Sequence, residues 1–279
     1  MTDPIVPTDW LAARLDDANI VVLDASWHMP AANRDAAAEY AEGHIPGAAF
    51  FDIDRISDHT SALPHLLPSP GEFAVAARRL GVSATSTVVV YDSVGLFSAP
   101  RVWWTFRAMG HDQVFVLDGG LPRWIAEGRP VEAGWRDPPH GDFKAKPRRE
   151  LVRDLGGVTA ALADPAWQVL DARPAGRFSG ETPEPRPGLR SGHMPGALSL
   201  PFTALVEDGS LASPARLAEV LASNGVDPGK PTIASCGSGV SAAVVAIALA
   251  RLGHNDTSIY DGSWSEWGAR DDTAVVTGP

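Results

Sequence analysis

The 279-residue chain contains a single cysteine. One thiol cannot close an internal disulfide, so nothing in the sequence calls for an oxidising compartment. Basic residues are also scarce: 23 Lys and Arg stand against 34 Asp and Glu, for a formal net charge of -11. Nucleic-acid phosphates are bound by clustered Lys and Arg, so this balance excludes a nucleic-acid partner. The one basic concentration, Lys144, Lys146, Arg148, Arg149 and Arg153, is interspersed with proline and reads as a solvated linker. No stretch of eighteen apolar residues runs without polar interruption, which argues against a membrane span. Met1 to Trp10 holds acidic residues and two prolines, not the basic start and apolar stretch of a secretory signal or the Arg-rich character of a transit peptide. A cytoplasmic protein is expected. Cys/His clusters at metal-ligand spacing and glycine-rich nucleotide fingerprints are missing too, so neither metal nor cofactor is expected.

What is present is repetition. With 44% hydrophobic and 20% charged residues the chain can bury real cores, and its two halves echo each other. VVLDAS at 21–26 returns as QVLDAR at 168–173, and GHIPGAAF at 43–50 as GHMPGALS at 192–199. MGHDQVFVLDGGLPRW at 109–124 parallels LGHNDTSIYDGSWSEW at 252–267. The order of the blocks is kept, as a duplicated domain requires. Short β-branched runs (Ile20–Leu23, Thr87–Tyr91 and Val114–Leu117; then Gln168–Leu170, Pro231–Ser235 and Ser258–Tyr260) alternate with helical stretches such as Pro70–Leu80 and Pro214–Ser223. That alternation predicts an α/β fold with one parallel sheet, flanked by helices, in each half. The expected units are residues 1–135 and 156–279, joined by a Gly-, Pro- and charge-rich linker at 136–155.

The cysteine stands where such folds keep their chemistry, just past the carboxyl end of a strand. After PTIAS come Cys236-Gly237-Ser238-Gly239-Val240-Ser241, then an apolar helix from Ala242 to Leu252. Two glycines allow successive amides to turn inward as an anion-binding nest, and the helix start adds partial positive charge. Both effects favour a thiolate, and equally a persulfide anion one sulfur longer. At the constant offset of the third repeated block, Ser93 takes the cysteine's place, so the first half is expected to be catalytically silent.

At these residues the chain resembles the rhodanese family, in its tandem-domain, mercaptopyruvate-using branch. Tyr40-x-x-x-His44-Ile45-Pro46-Gly47-Ala48 is similar to the family's N-terminal signature, and Tyr260-Asp261-Gly262-Ser263-Trp264-Ser265-Glu266-Trp267 to its C-terminal one. The loop 236–241 resembles the mercaptopyruvate type, with Ser241 where threonine is usual; thiosulfate-using members carry Arg and Lys there, and this loop has neither. The resemblance implies tandem rhodanese-like domains and transfer of a sulfane sulfur from 3-mercaptopyruvate, through a Cys236 persulfide, to a small thiol, a thioredoxin-like protein or cyanide, with release of pyruvate. It implies that Arg177 and Arg186 hold the donor's carboxylate and keto oxygen, that the loop residues Gly237, Gly239, Val240 and Ser241 cradle it, and that Ser238, His65 and Asp54 relay a proton. Guanidinium forks suit a carboxylate, and a hydroxyl oriented by histidine and carboxylate suits proton transfer. Without the resemblance, Asp54 reads as a helix cap and His65 as a loop residue. His44, His193, Asp24 and Asp171 recur in both halves, including the one without a cysteine, and are expected to fix loops.

Three rivals remain on sequence grounds. One is thiosulfate:cyanide sulfurtransfer on the same scaffold. Another is a cysteine-dependent phosphatase, which needs an arginine six residues past the cysteine, where this chain has Ala242. The third is a non-catalytic binding module.

Overall fold

The computed structural model describes residues 3–279; Met1 and Thr2, the opening of the first expected unit, lie outside it. The first sheet comprises β1 (Ile5–Val6), β2 (Ile20–Asp24), β3 (Ala49–Phe50), β4 (Thr87–Tyr91) and β5 (Val114–Leu117), in the order β1-β5-β4-β2-β3. The second comprises β6 (Val152–Arg153), β7 (Gln168–Asp171), β8 (Leu198–Ser199), β11 (Thr232–Ser235) and β12 (Ser258–Tyr260), in the order β6-β12-β11-β7-β8. Between β8 and β11 in sequence, β9 (Val206–Glu207) and β10 (Ser210–Leu211) form a separate antiparallel hairpin. All pairings within the two five-stranded sheets are parallel, and their orders match strand for strand. The duplication read from the three blocks is thus a duplication of topology.

The central strands β4 and β11 are buried on both faces, which explains their continuous β-branched and apolar character. Helix starts are set locally. Ser69 and Glu72 close a reciprocal capping box ahead of the helix Pro70–Arg79, and Ser213 caps Pro214–Ser223. The edge strands β1, β3, β6 and β8 are two residues each, too short to leave a periodic signal.

The two units share one continuous core. The helix Ala99–Ala108 of the first packs on Ala242–Arg251 of the second, and both are buried almost throughout. A helix enclosed on every side has no polar face to show, hence the unbroken AAVVAIALA. The linker departs from its solvated expectation. Phe143 inserts among Phe73, Phe106 and His111, while the amides of Lys146 and Arg148 bond back to Met109 and Ala108. Val152–Arg153, expected within the linker, is already an edge strand of the second sheet.

Candidate active site

β11 ends at Ser235, and Cys236 follows, buried to 2% exposure at the junction of the two units. The loop is pinned from below by the segment after β12. Ser263 Oγ accepts the Cys236 amide, Trp264 N donates to the Cys236 carbonyl, and Ser265 donates to the Gly237 carbonyl through both its amide and its hydroxyl. Ser263 holds a left-handed backbone (φ 48°) to do this, and its hydroxyl also donates to Tyr260 O.

Among the described residues, no acceptor takes the amides of Gly237, Ser238, Gly239, Val240 or Ser241. Buried amides are almost always paired, so a run of unclaimed donors at a helix start marks an anion site. Ser241, at the helix N-cap, makes no side-chain cap bond, leaving the amides to any incoming charge.

The first unit shows what such a loop does with an anion. Asp24 pairs with Tyr91 across β2 and β4, as Asp171 pairs with Ser235 across β7 and β11. The Ala25 amide bonds Tyr91 O, as the Ala172 amide bonds Ser235 O; the Leu121 amide bonds Asp92 O, as that of Trp264 bonds Cys236 O. The counterpart of Cys236 is therefore Asp92, not Ser93. The constant offset misled because the first loop runs one residue longer before its helix, so alignment from the helix side arrives one position late. The Asp92 carboxylate, 1% exposed, accepts amides from Val94, Phe97, Ser98 and Ala99 at 2.7–3.1 Å. A carboxylate fills the nest of the first unit.

The predicted relay residues meet across the interface. His65 Nδ1 lies 2.9 Å from Ser238 Oγ, and His65 Nε2 lies 2.8 Å from Asp54 Oδ1. Because Nε2 faces a carboxylate it carries the proton, and Nδ1 is left to exchange one with the serine hydroxyl. The His65 bond holds the Asp54 carboxyl below its ordinary range. His65 adopts a left-handed backbone (φ 62°), stabilised by Arg101, which donates to its carbonyl. Arg101 is itself buried, paired with Asp261 at 2.7 Å and within 3.4 Å of the Gly239 carbonyl. A side chain at Gly239 (φ 81°) would strike this guanidinium at 2.8 Å, so glycine is required there.

Arg177 and Arg186 both reach the loop. A Cβ on Gly237 would stand 3.2 Å from Arg177 Nη2 and 3.6 Å from Arg186 Nη1, and Arg186 Nη2 donates to Ser238 Oγ at 3.3 Å. Burial lowers the Arg186 pKa, and the nearby Cys236 opposes that shift. Arg177 is held by Glu184 through Nε at 3.0 Å and through Nη2. The nine other predicted site residues thus gather around Cys236. His44 and His193 stay structural: each bonds a backbone carbonyl through Nδ1 and stacks on an aromatic ring.

The sequence reading missed several supporting groups. Trp27 donates from its indole to both Asp54 oxygens, at 3.2 and 3.1 Å, and meets the His65 ring edge-on at 4.9 Å. Glu184, Arg173 and Arg101 were missed as well. Trp27 carried a usable signal, sitting just past the carboxyl end of β2; Arg101 carried none, lying mid-sequence in an apolar helix. Among the described residues no cluster of three or more His, Cys, Asp or Glu could hold a metal, and no helix is long and apolar enough to cross a membrane.

Known proteins share this architecture. The family model for rhodanese-like domains matches residues 7–127 and again 156–270. The chain is 49% identical over 271 residues to the 3-mercaptopyruvate sulfurtransferase of Escherichia coli K12, covering 97% of this chain and 96% of that protein. It is 42% identical to the mitochondrial thiosulfate/3-mercaptopyruvate sulfurtransferase 1 of Arabidopsis thaliana, covering 98% and 78%. The crystal structure of SseA from Escherichia coli superposes with a TM-score of 0.87 at 47% identity, over 95% of this chain and 100% of that one.

Proposed function

We propose, for a chain that belongs to the rhodanese-like domain family in both its halves, a sulfurtransferase that draws sulfur from 3-mercaptopyruvate and carries it on Cys236. The Cys236 thiolate attacks the donor's sulfur; a sulfur–sulfur bond forms and the carbon–sulfur bond breaks. The bonding pair leaves with carbon as the enolate of pyruvate, and the donor's thiol proton passes through Ser238 and His65 to that carbon, which completes pyruvate and leaves a persulfide anion on Cys236. An acceptor thiolate then attacks the outer sulfur, departs as a persulfide and restores the Cys236 thiolate. One difficult transfer becomes two easier ones.

The observation that carries this reading is the pair of matching loops. One nest holds a carboxylate through four amides; the other presents its amides, unclaimed, around a cysteine. Arg177 and Arg186 suit the donor's carboxylate and keto oxygen. The relay beside the loop suits mercaptopyruvate over thiosulfate, since only a carbon leaving group needs a proton. The acceptor is a small thiol or a thioredoxin-like protein, with cyanide as a laboratory substitute. With one cysteine in the chain, no internal thiol can collect the sulfur. A thiol-rich reducing compartment, the cytoplasm, fits this need.

The test is single turnover. One equivalent of 3-mercaptopyruvate should release one equivalent of pyruvate without acceptor, and the protein should gain the mass of one sulfur. Cys236→Ser should do neither. Pyruvate release that survives Cys236→Ser would reject the assignment.

A further inference from the structure

The arginines that face the donor are not free charges. Glu184, with a side chain 1% exposed, accepts Arg177 Nε at 3.0 Å and Arg173 Nη1 at 2.7 Å on one oxygen, and pairs with Arg177 Nη2 through the other. Arg173 is 1% exposed and bonds Asp171 through its amide, Nε and Nη2, donates to the Gly192 carbonyl, and lies 4.0 Å over the Trp264 ring. A chain of alternating charge therefore runs from the end of β7 to the catalytic loop: Asp171, Arg173, Glu184, Arg177. Arg186 stands at its end, bonded to Ser238.

This arrangement sets a charge count. Within this network, three guanidiniums against two carboxylates leave one net positive charge toward the Cys236 loop. 3-Mercaptopyruvate brings one carboxylate; thiosulfate brings two negative charges. The Cys236 thiolate and Asp54 add the same charge for either donor, so the single surplus charge of this network matches one carboxylate and leaves a dianion half-paired in a buried setting, where unpaired charge is costly. Glu184 also occupies Arg177 Nε and part of Nη2, so that only the remaining donors of Arg177, with those of Arg186, face the substrate.

We propose that Glu184 is the specificity-determining residue of the site: by cancelling one guanidinium charge it selects a singly charged keto-acid thiol over doubly charged thiosulfate. The proposal rests on the sulfurtransferase reading above, and Glu184 acts through Arg177 without touching the donor.

The experiment compares wild type, Glu184→Gln and Glu184→Asp. The first readout is the rate of Cys236 alkylation by iodoacetate relative to iodoacetamide, which reports local charge and needs no sulfur chemistry. One unit of charge several ångströms from the sulfur, at an effective dielectric between protein and water, should raise this ratio about fivefold in Glu184→Gln. The second readout is kcat/KM for thiosulfate relative to 3-mercaptopyruvate, which should rise by a similar factor. Glu184→Asp, which keeps the charge, should stay near wild type in both. A Gln variant with both ratios unchanged overturns the proposal. So does a raised alkylation ratio with unchanged donor preference, or an Asp variant that shifts as far as Gln, since geometry would then be responsible. A wild-type protein that transfers sulfur from neither donor defeats the underlying reading instead, and the alkylation ratio still decides whether Glu184 sets the charge.

Discussion

Replacing Ser238 with alanine should separate the two halves of the donor chemistry. The hydroxyl is the inner end of the line Ser238–His65–Asp54, with contacts of 2.9 and 2.8 Å, and it belongs to the loop that carries Cys236. Its removal leaves the imidazole with no group to pass a proton through, while Cys236, the loop amides and Arg177 keep their contacts and Arg186 loses only its 3.3 Å bond to the hydroxyl. A positioned proton donor contributes about 10²–10⁴ in rate. The lower end applies here, because the Arg186–Ser238 bond at 3.3 Å is long and water can enter the space left. Pyruvate release in a rapid-quench single turnover should fall about 100-fold, equivalent to about 2.7 kcal/mol of barrier. Sulfite release from thiosulfate needs no carbon protonation and should change far less. Equal losses with both donors, or a pyruvate rate within about threefold of wild type, would refute the relay.

Other consequences follow from the same contacts. Asp54 has its carboxyl lowered from the ordinary 3.8, first through the His65 bond, so its ionised form favours the native state. That stabilisation is present above the ordinary carboxylate value and lost as pH falls through the lowered one. The melting-temperature deficit of Asp54→Asn should accordingly be full at neutral pH and close below pH 3.8; a deficit independent of pH would contradict the assignment. Arg101→Met removes the buried partner of Asp261 and the bracket on His65 and Gly239. A cost of about 3–5 kcal/mol in urea unfolding is expected, with loss of the relay's share of turnover; a loss under about 1 kcal/mol would show the bracket to be dispensable.

Much of this molecule was legible from its residues. The central strands were, because burial on both faces writes a plain β-branched run; β4, β5 and β12 fall where the pattern put them. The two-residue edge strands were not, since two residues carry no period. The duplication was readable, yet the partner of Cys236 was misread by one position, because an inserted loop residue is invisible to an offset taken from the helix side. Strand pairing corrected it from Ser93 to Asp92. Cys236 announced itself by place and by the glycines around it. Asp54 and His65 could be named only through resemblance: their chemistry depends on a contact between units 173 residues apart in sequence, and spacing holds no information about that docking. The linker misled for a related reason. Its charge and proline signalled solvent, but Phe143 and backbone bonds to Met109 and Ala108 tie it down.

The account turns on the loop amides as the holder of a sulfur anion, and the most direct test is the structure of the protein after one equivalent of 3-mercaptopyruvate. The outer sulfur should lie bonded to Cys236 within hydrogen-bonding distance of the amides between Ser238 and Ala242, in the position the Asp92 carboxylate takes in the other unit. A sulfur turned away from those amides, or a Cys236 that carries none, would contradict the account.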